Sequence, residues 1–451
     1  TNLKKCGYLP PLGLALLGTI LENDGHEVKV MDLQLYDLTL DEITEEVRKF
    51  SPGLIGMSCA TPTANRAFRM AEHLKEKLNI PIVFGGPHVS FEAEKVLEKE
   101  NFIDIIIIGE AELPMKELVR ALADKTPLEE VKGIAFRKDG KVVKNPPSPV
   151  VEDLDELPIA QRKFFKMEDY IPLPNNYKQL PSTNMVTSRG CIYGKCTFCH
   201  ESGPLGHKPR RNSVKRVIEE IKYLQKDYGY KEINFWDDEF VLGHANWVSE
   251  FCDELKKEDI NITWTICSRA SSISYGLAKK MKDAGCWNIF LGIESGNQQI
   301  LNNIKKGVTL EQMRQGVKAI QDAGIEIRGS FVFALPGETP AIAEETINFA
   351  KELDLDYAQF CINTPYPGTP LFYDADKYGK LSLNFDEFNV FNPVYVPFGY
   401  KDAEEIRKMQ KRAYRKFYYR PKYVWKHVRK IRSWEDVKKY LSGVKLILGI
   451  S

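Results

Sequence analysis

Cys191, Cys196 and Cys199 lie within nine residues, in the run Ser188-Arg-Gly-Cys-Ile-Tyr-Gly-Lys-Cys-Thr-Phe-Cys199. Three thiolates on one glycine-containing loop can converge on a single metal centre. On a four-iron cube three ligands leave one iron open, and an open iron can bind and reduce a substrate. The competing chemistry is zinc, which prefers a closed tetrahedral shell and would need a fourth ligand such as His200 or His207. Zinc knuckles usually carry two C-x2-C pairs, and this chain has one. The other six cysteines (Cys6, Cys59, Cys252, Cys267, Cys286 and Cys361) stand alone. Such singletons are most often small buried hydrophobes. The pattern fits a reducing cytoplasm and not a secreted disulfide framework.

The other residues able to do chemistry follow short apolar runs. Asp237 and Asp238 end the strand predicted over 232–236, and Arg269 follows the one over 262–266. Glu294 and Ser295 follow 287–291, Leu335-Pro-Gly-Glu338 follows 325–333, and Pro365-Tyr-Pro-Gly-Thr369 follows 357–363. Met185-Val-Thr leads into the cysteine loop. Val214–Lys226 repeats apolar residues at helical spacing. Six strand–helix units fall short of an eight-fold barrel of about 250 residues, and a six-unit partial barrel fits. Barrel enzymes carry their chemistry at the carboxyl ends of the strands, which is where these side chains fall. An arginine fork suits a carboxylate because it bonds both oxygens, so Arg269 is the candidate anion contact. Each acidic residue taken alone fits a solvated strand end or a helix N-cap equally well.

The N-terminal third repeats the alternation. Helices are expected from Pro11 to about Asp24, over 40–50 and over 64–78; strands over 26–32, 54–58, 81–86 and 103–108. β-Branched runs separated by helices make a parallel sheet covered on both faces. Ligands of such sheets sit beyond the carboxyl ends of the strands. Those ends carry Ser58-Cys-Ala-Thr61, Gly85-Gly86-Pro-His88 and Gly109-Glu110, which would let a large planar ligand approach the backbone. No G-x-G-x-x-G follows the first strand, which argues against a dinucleotide site.

Between Lys141 and Ser182 proline density breaks both periods, so a surface connector is expected, with a boundary near 145. From Asn384 to Tyr400 the chain is aromatic-rich, and from Asp402 to Arg432 it reads as basic and helical. That stretch could contact nucleic acid or anionic lipid. Lysine and arginine stems covering an apolar helix face is the favoured reading. The 451 residues carry a net charge of +1 and 43% hydrophobic residues, as globular chains do. No run of 18 apolar residues appears, which argues against a membrane span. The numbering opens on Thr1 with no signal peptide following.

The spacing C-x4-C-x2-C resembles the cluster loop of radical S-adenosylmethionine (SAM) enzymes, with one residue more than their usual C-x3-C-x2-C. The Gly-Ile-Glu-Ser and Pro-Gly-Glu-Thr runs resemble the same barrel. In the N-terminal third, Pro10-Pro-Leu-Gly-Leu, Gly-Gly-Pro-His and Gly-Glu resemble the cobalamin-binding domain of cobalamin-dependent radical SAM enzymes, and Tyr414-Arg-Lys-Phe-Tyr-Tyr-Arg-Pro421 resembles their closing helix. The resemblance implies an α/β architecture. A Rossmann-like cobalamin-binding domain would occupy 1–144 and a linker 145–182. A partial (β/α)6 radical SAM barrel would occupy 183–375 and a mostly helical C-terminal domain 376–451. In the family an apolar strand precedes Pro-Pro-Leu-Gly-Leu. Residues 1–9 do not read as one, so that strand lies outside the numbering or the sheet is truncated.

What the resemblance implies for the site is specific. Cys191, Cys196 and Cys199 would hold a [4Fe–4S] cluster. Phe198 would pack near the SAM adenine, and Asp237, Asp238, Arg269, Glu294 and Ser295 would bind the rest of SAM. Thr61, Gly85, Gly86, His88, Gly109 and Glu110 would surround cobalamin, with Tyr366 and Phe360 lining its lower face. The D-x-H-x-x-G motif is absent, so cobalamin would be bound base-off without a histidine on cobalt. His88 in a Gly-Pro loop reads first as a turn or hydrogen-bonding residue.

The implied activity is methylation of an unactivated carbon through a 5′-deoxyadenosyl radical and methylcobalamin. A cyclase or rearrangement enzyme using the same cofactors is the alternative, and a zinc-stabilised binding module is a third reading. A methylthiotransferase is disfavoured, since no second cysteine triad lies upstream. Expected partners are a substrate, a peptide or protein being one case, and an external electron donor such as ferredoxin or flavodoxin; no nucleic acid and no membrane span are expected, and the cytoplasm is the expected compartment.

Overall fold

Alternation along the short apolar strands decides which face each side chain joins. The computed structural model describes residues 7–36, 38–173, 176–203, 205–206 and 208–428. The chain divides into two units: Pro10–Asp169 with Asn384–Phe388, and Thr1–Leu9, Tyr170–Leu383 and Asn389–Ser451.

In the first unit β1 (Ile55–Ser58), β2 (Ile82–Gly85) and β3 (Ile105–Ile107) run parallel, and β4 (Ile134–Lys138) and β5 (Lys141–Lys144) extend the sheet antiparallel. Ile82, Phe84 and Ile106 point to one face, against Ile43, Met70, Leu74 and Val96 of the helices Leu40–Phe50, Ala64–Leu78 and Ala93–Lys99. Val83, Ile105 and Ile107 point to the other, against Met115 and Leu118 of Glu112–Asp124 and Leu17 and Leu21 of Leu12–Asn23. Burying one such side chain stabilises by about 1.5–3 kcal/mol. Thr39 starts the helix at Leu40 with a reciprocal capping box to Glu42.

Two features differ from expectation. His26–Asp32 forms no strand. In the flavodoxin-like order the strand between it and β1 would come from residues before Pro10. Gly7 donates its N–H to Ile171 O at 2.7 Å, and among the described residues no strand pairs with 26–32. The β4–β5 hairpin was not anticipated. Its turn, Asp139-Gly140, has φ of +51° and +75°, the two-residue turn whose twist matches a hairpin. The stretch expected as a connector also divides. Residues up to Asp169 belong to the first unit, where Phe164 packs on Gly18 so closely that a Cβ there would come within 2.8 Å of its ring.

In the second unit six parallel strands run in the order β6-β9-β10-β11-β12-β13, with β6 Ser182–Met185, β9 Glu232–Phe235, β10 Thr263–Ser268, β11 Cys286–Glu294, β12 Glu326–Phe333 and β13 Tyr357–Ile362. Between β6 and β9 a short antiparallel pair, β7 (Ser188–Arg189) and β8 (Arg210–Arg211), brackets the cysteine loop. Alternate residues of β10 and β12 are buried beneath the helices, Trp264 against Phe251 with ring centroids 5.5 Å apart. The intervening Thr263, Thr265, Cys267, Arg328 and Ser330 are half-buried on the opposite face. That face is polar, unlike the branched apolar fill of a closed barrel.

The edge strand β13 is finished by the helix Ala403–Tyr418. Tyr414 Oη accepts from Phe360 N (3.3 Å), Gln410 donates to Phe360 O (2.7 Å), and Tyr418 Oη accepts from Ala358 N (3.0 Å). An exposed strand edge is thereby paired. The expected C-terminal helical segment is observed over Ala403–Tyr418 and Pro421–Val428, after a short antiparallel pair at Gly379–Leu381 and Tyr395–Pro397; residues 429–451 lie outside the described residues.

Candidate active site

The cysteine loop leaves β6 and is held at its base by Asp237. Asp237 Oδ1 accepts from Thr187 N (3.0 Å), Thr187 Oγ1 (2.8 Å) and Ser188 Oγ. Its side chain is fully enclosed, and burial raises its pKa against the opposing charge of Arg211. Arg211 lies over the rings of Trp247 and Phe240, 4.5 and 5.0 Å from their centroids. Beyond this base, Gly190 and Gly194 take φ of +82° and +52°, turning the chain through Cys191.

Backbone bonds fix the rest of the loop. Thr197 N donates to Ile304 O (3.0 Å), Leu371 N donates to Thr197 O (2.9 Å), and Cys199 N donates to Cys196 O (3.0 Å). Ser202 Oγ lies 2.6 Å from Cys196 O and 2.8 Å from Cys199 O. Cys196 is buried, and Cys191 and Cys199 are half-buried. Burial raises the Cys196 pKa, while the positive charges of Lys306 and Arg269 pull it down.

Those cations are themselves organised. Arg269, at the end of β10, donates its N–H to Glu239 Oε2 (2.9 Å) and its guanidinium to Lys306 O. The guanidinium carbon sits 4.3 Å from the centre of the Tyr193 ring, within the cysteine loop. Glu239 also accepts from Ser268 Oγ (2.6 Å), Val241 N and Leu242 N (3.0 Å each), so it is a fully bonded buried carboxylate. Lys306 Nζ is 2.7 Å from Glu294 Oε1, with both side chains about 8% exposed. Glu294 lies at a register shift in β11 with φ +64°, a conformation non-glycine residues adopt at local cost. Gly292 makes the pair possible, since a Cβ there would sit 2.6 Å from Glu294 Oε1.

Other candidates stand elsewhere. Asp238 is exposed at the same strand end. Phe198 is half-buried between the second and third cysteines. Ser295, expected at the SAM site, has its hydroxyl 3.2 Å from Thr346 Oγ1, where it also accepts from Asn297 N (3.1 Å). Phe360 is a core residue stacked between Phe331 and Phe333 and fully enclosed, so it lines no ligand surface. Tyr366 is half-buried. Glu338 is fully buried, accepts from Ala334 N (2.7 Å) and Tyr400 Oη (2.6 Å), and burial pushes its pKa to about 8. Of the proposed zinc partners, His200 places Nε2 2.7 Å from Glu201 Oε1, and hydrogen bonds to Cys199 and Glu201 raise its pKa to about 10; His207 lies outside the described residues.

In the first unit the carboxyl ends of β2 and β3 carry Gly85 and Gly109, and a Cβ built at either meets nothing within 4 Å. Gly109 N donates to Ser90 Oγ (3.1 Å), fixing its φ of +82°. Gly86 answers a different need: a Cβ there would lie 2.7 Å from Cys59 O, so it is a close-packing glycine. His88 and Thr61 are buried, with Nδ1 and Oγ1 3.2 Å apart. The His88 ring meets Phe385 edge-on at 4.9 Å, and burial lowers its pKa, which favours the neutral imidazole. Glu110 is half-buried beside Gly109.

Residues 4–119 match the B12 binding domain family and residues 185–350 the radical SAM superfamily. An uncharacterized methyltransferase of Pyrococcus horikoshii is 38% identical over 421 residues, covering 93% of this chain and 90% of that protein. The chain belongs to the cobalamin-dependent radical SAM methyltransferase family. This radical SAM enzyme is also 30% identical, over 91% of its length and 74% of the relative's, to the anaerobic magnesium-protoporphyrin IX monomethyl ester cyclase of Rubrivivax gelatinosus. Its fold matches the cobalamin-dependent SAM radical enzyme OxsB, solved with aqua-cobalamin and SAM, with a TM-score of 0.74, 20% identity, and coverage of 98% of this chain and 69% of the other.

The cofactors of this radical SAM enzyme are therefore a [4Fe–4S] cluster, SAM and cobalamin, and its residues fit them. Among the described residues no three His, Cys, Asp or Glu side chains form a cage for a single ion. A four-iron cube takes each thiolate on a different iron and needs no such cage. Buried cations beside Cys196 suit a group held by thiolates and a ligand bearing a carboxylate. The open floor at Gly85 and Gly109 leaves room for a large planar ligand. Glu239, Lys306 and Tyr193 went unread in the sequence. Glu239 directly follows the Asp237-Asp238 pair, the one local signal that could have drawn attention to it. No helix among the described residues is long and apolar enough to cross a membrane.

Proposed function

We propose that this enzyme methylates an unactivated carbon, with a peptide or protein side chain as one candidate substrate. When bound, the cofactors supply the electron that splits SAM into methionine and a 5′-deoxyadenosyl radical, and the methyl group that reaches the substrate carbon. Cys191, Cys196 and Cys199 hold three irons of the cluster in this reading. Arg269 and the Glu294–Lys306 pair bind the amino-acid end of SAM, Arg269 through its fork on the carboxylate. Asp238 and Phe198 complete that pocket, and Asp237 and Glu239 position the loop and the arginine. Gly85, Gly109 and Glu110 receive cobalamin, which assigns its binding to Pro10–Asp169 and the radical chemistry to 183–375.

The observation that carries the reading is the placement of buried Lys306 and Arg269 against Cys196. The eight described cysteines are free, which supports a reducing compartment such as the cytoplasm, where an external ferredoxin or flavodoxin would supply electrons. The test is turnover with SAM deuterated on its methyl group, against candidate substrates of anaerobically reconstituted enzyme. Methylation delivers the label to product. The similarity to the magnesium-protoporphyrin cyclase favours a second reading, ring closure without methyl transfer. Product formed with no deuterium would establish that one instead. Cys191, Cys196 and Cys199 changed together to alanine should abolish iron uptake and SAM cleavage under either reading.

A further inference from the structure

We propose that the surface over the cysteine loop is a docking face for a small acidic one-electron donor protein, with Lys195 and Lys305 as its cationic contacts; this rests on the reading of Cys191, Cys196 and Cys199 as cluster ligands.

Two segments lie side by side there. Thr197 N donates to Ile304 O at 3.0 Å and Tyr193 Oη donates to Lys305 O at 2.7 Å. Burial alternates along both: Cys196 is buried and Lys195 exposed, while Ile304 and Lys306 are buried and Lys305 exposed. Gly307 keeps the segments close, since a Cβ there would meet Tyr193 Oη at 2.1 Å. A third segment adjoins them at Gly243, where a Cβ would lie 2.7 Å from Ile192 Cδ1. Ile192 is 50% exposed and is the apolar centre of the patch.

The charge of this surface is selective. The chain holds 62 acidic residues and a net charge of only +1, yet residues 191–199, 241–247 and 302–308 contain no Asp or Glu. Neither the Lys195 nor the Lys305 ammonium has an ion-pair partner among the described residues. The buried cations, Arg269 and Lys306, are engaged beneath; the exposed pair is committed to no ion pair among the described residues. An exposed apolar residue rimmed by unpaired lysines fits an acidic protein that docks briefly and leaves. One electron passes from the reduced donor to the cluster: the donor is oxidised by one electron, the cluster is reduced by one, and no bond or proton changes hands. Docking on the ligand loop itself keeps that transfer short, because Lys195 is the residue next to Cys196.

The test compares two reductants on the reconstituted full-length enzyme, reading 5′-deoxyadenosine formed from SAM. Reduced flavodoxin is the protein probe and dithionite the small one. The variant K195E/K305E should lose about tenfold or more of the flavodoxin-driven rate and most of its sensitivity to salt, since electrostatic steering contributes about 10–1000-fold to such encounters. Its dithionite-driven rate should match the wild type. The neutral variant K195Q/K305Q should fall between. A flavodoxin-driven rate in K195E/K305E within about twofold of wild type overturns the proposal. So does an equal loss with both reductants, which would make the lysines part of the site or the fold. Failure of the cluster reading looks different: the wild type itself would hold no iron and cleave nothing with dithionite.

Discussion

Lys306 and Glu294 form a buried ion pair at 2.7 Å, seated beside Cys196 and carried by a strand end whose glycine, Gly292, leaves the space for it. Desolvation opposes the charge on Lys306, and Glu294 and Cys196 together hold its pKa up. Breaking such a pair leaves one charge uncompensated. Lys306→Met should cost about 3–5 kcal/mol in chemical denaturation, and Lys306→Met with Glu294→Leu should recover most of it. The double variant should still lose SAM cleavage. Recovery of stability without recovery of turnover would separate the structural from the functional part of the pair.

Asp237 is the tether of the cysteine loop. In Asp237→Ala the accepting Oδ1 is removed, and the Thr187 and Ser188 groups that donate to it are left without an acceptor. A loss of about 1–3 kcal/mol is expected for the stranded donors. The functional sign should be faster iron release to a chelator, with the iron content after reconstitution close to wild type. Iron release at the wild-type rate would show that Asp237 serves only the fold.

Stability should depend on pH through Glu338. Its pKa in the folded chain is pushed to about 8 by burial, from the ordinary 4.5. Between those values the folded chain holds a proton that the unfolded chain has released. Stability is therefore fully present below about pH 4.5 and declines as pH rises toward 8. Glu338→Gln removes that proton from the balance. Thermal melts from pH 5 to 9 should flatten in the variant relative to wild type.

Neighbouring glycines of the first unit should respond in opposite ways. Gly85→Val projects into open space, so the melting temperature should hold while cobalamin retained through gel filtration falls. Gly86→Ala drives a Cβ to 2.7 Å from Cys59 O at a φ of +99°, so the fold itself should weaken. Equal cobalamin retention in Gly85→Val and wild type would remove Gly85 from the binding floor.

Much of this was legible where the pattern is local. Helices 40–50 and 64–78 end where spacing places them, and five of the six parallel strands follow their apolar runs; β6, Ser-Thr-Asn-Met, has no such run. The cysteine loop stands out because three like ligands in nine residues need no partner from afar to be noticed. Lys306 and Tyr193 escaped because their roles come from tertiary proximity: nothing in Ile304-Lys-Lys-Gly announces which lysine turns inward. Strand 26–32 failed for a related reason, since a strand exists only beside another. The β4–β5 hairpin carried its own signal, Asp139-Gly140 between alternating residues, masked by the prolines that follow. The bond of Ser295 to Thr346 was not legible either, because sequence does not say to which side of a strand end a hydroxyl turns.

Phe385, which caps the ring of His88, arrives more than two hundred residues after the rest of its unit has been laid down. A graft taken at the 169/170 seam would carry the sheet and lose that cover, exposing an imidazole the intact fold keeps dry. Exchange of this module among relatives therefore has to move two pieces of chain together, or else re-engineer the bare surface left behind.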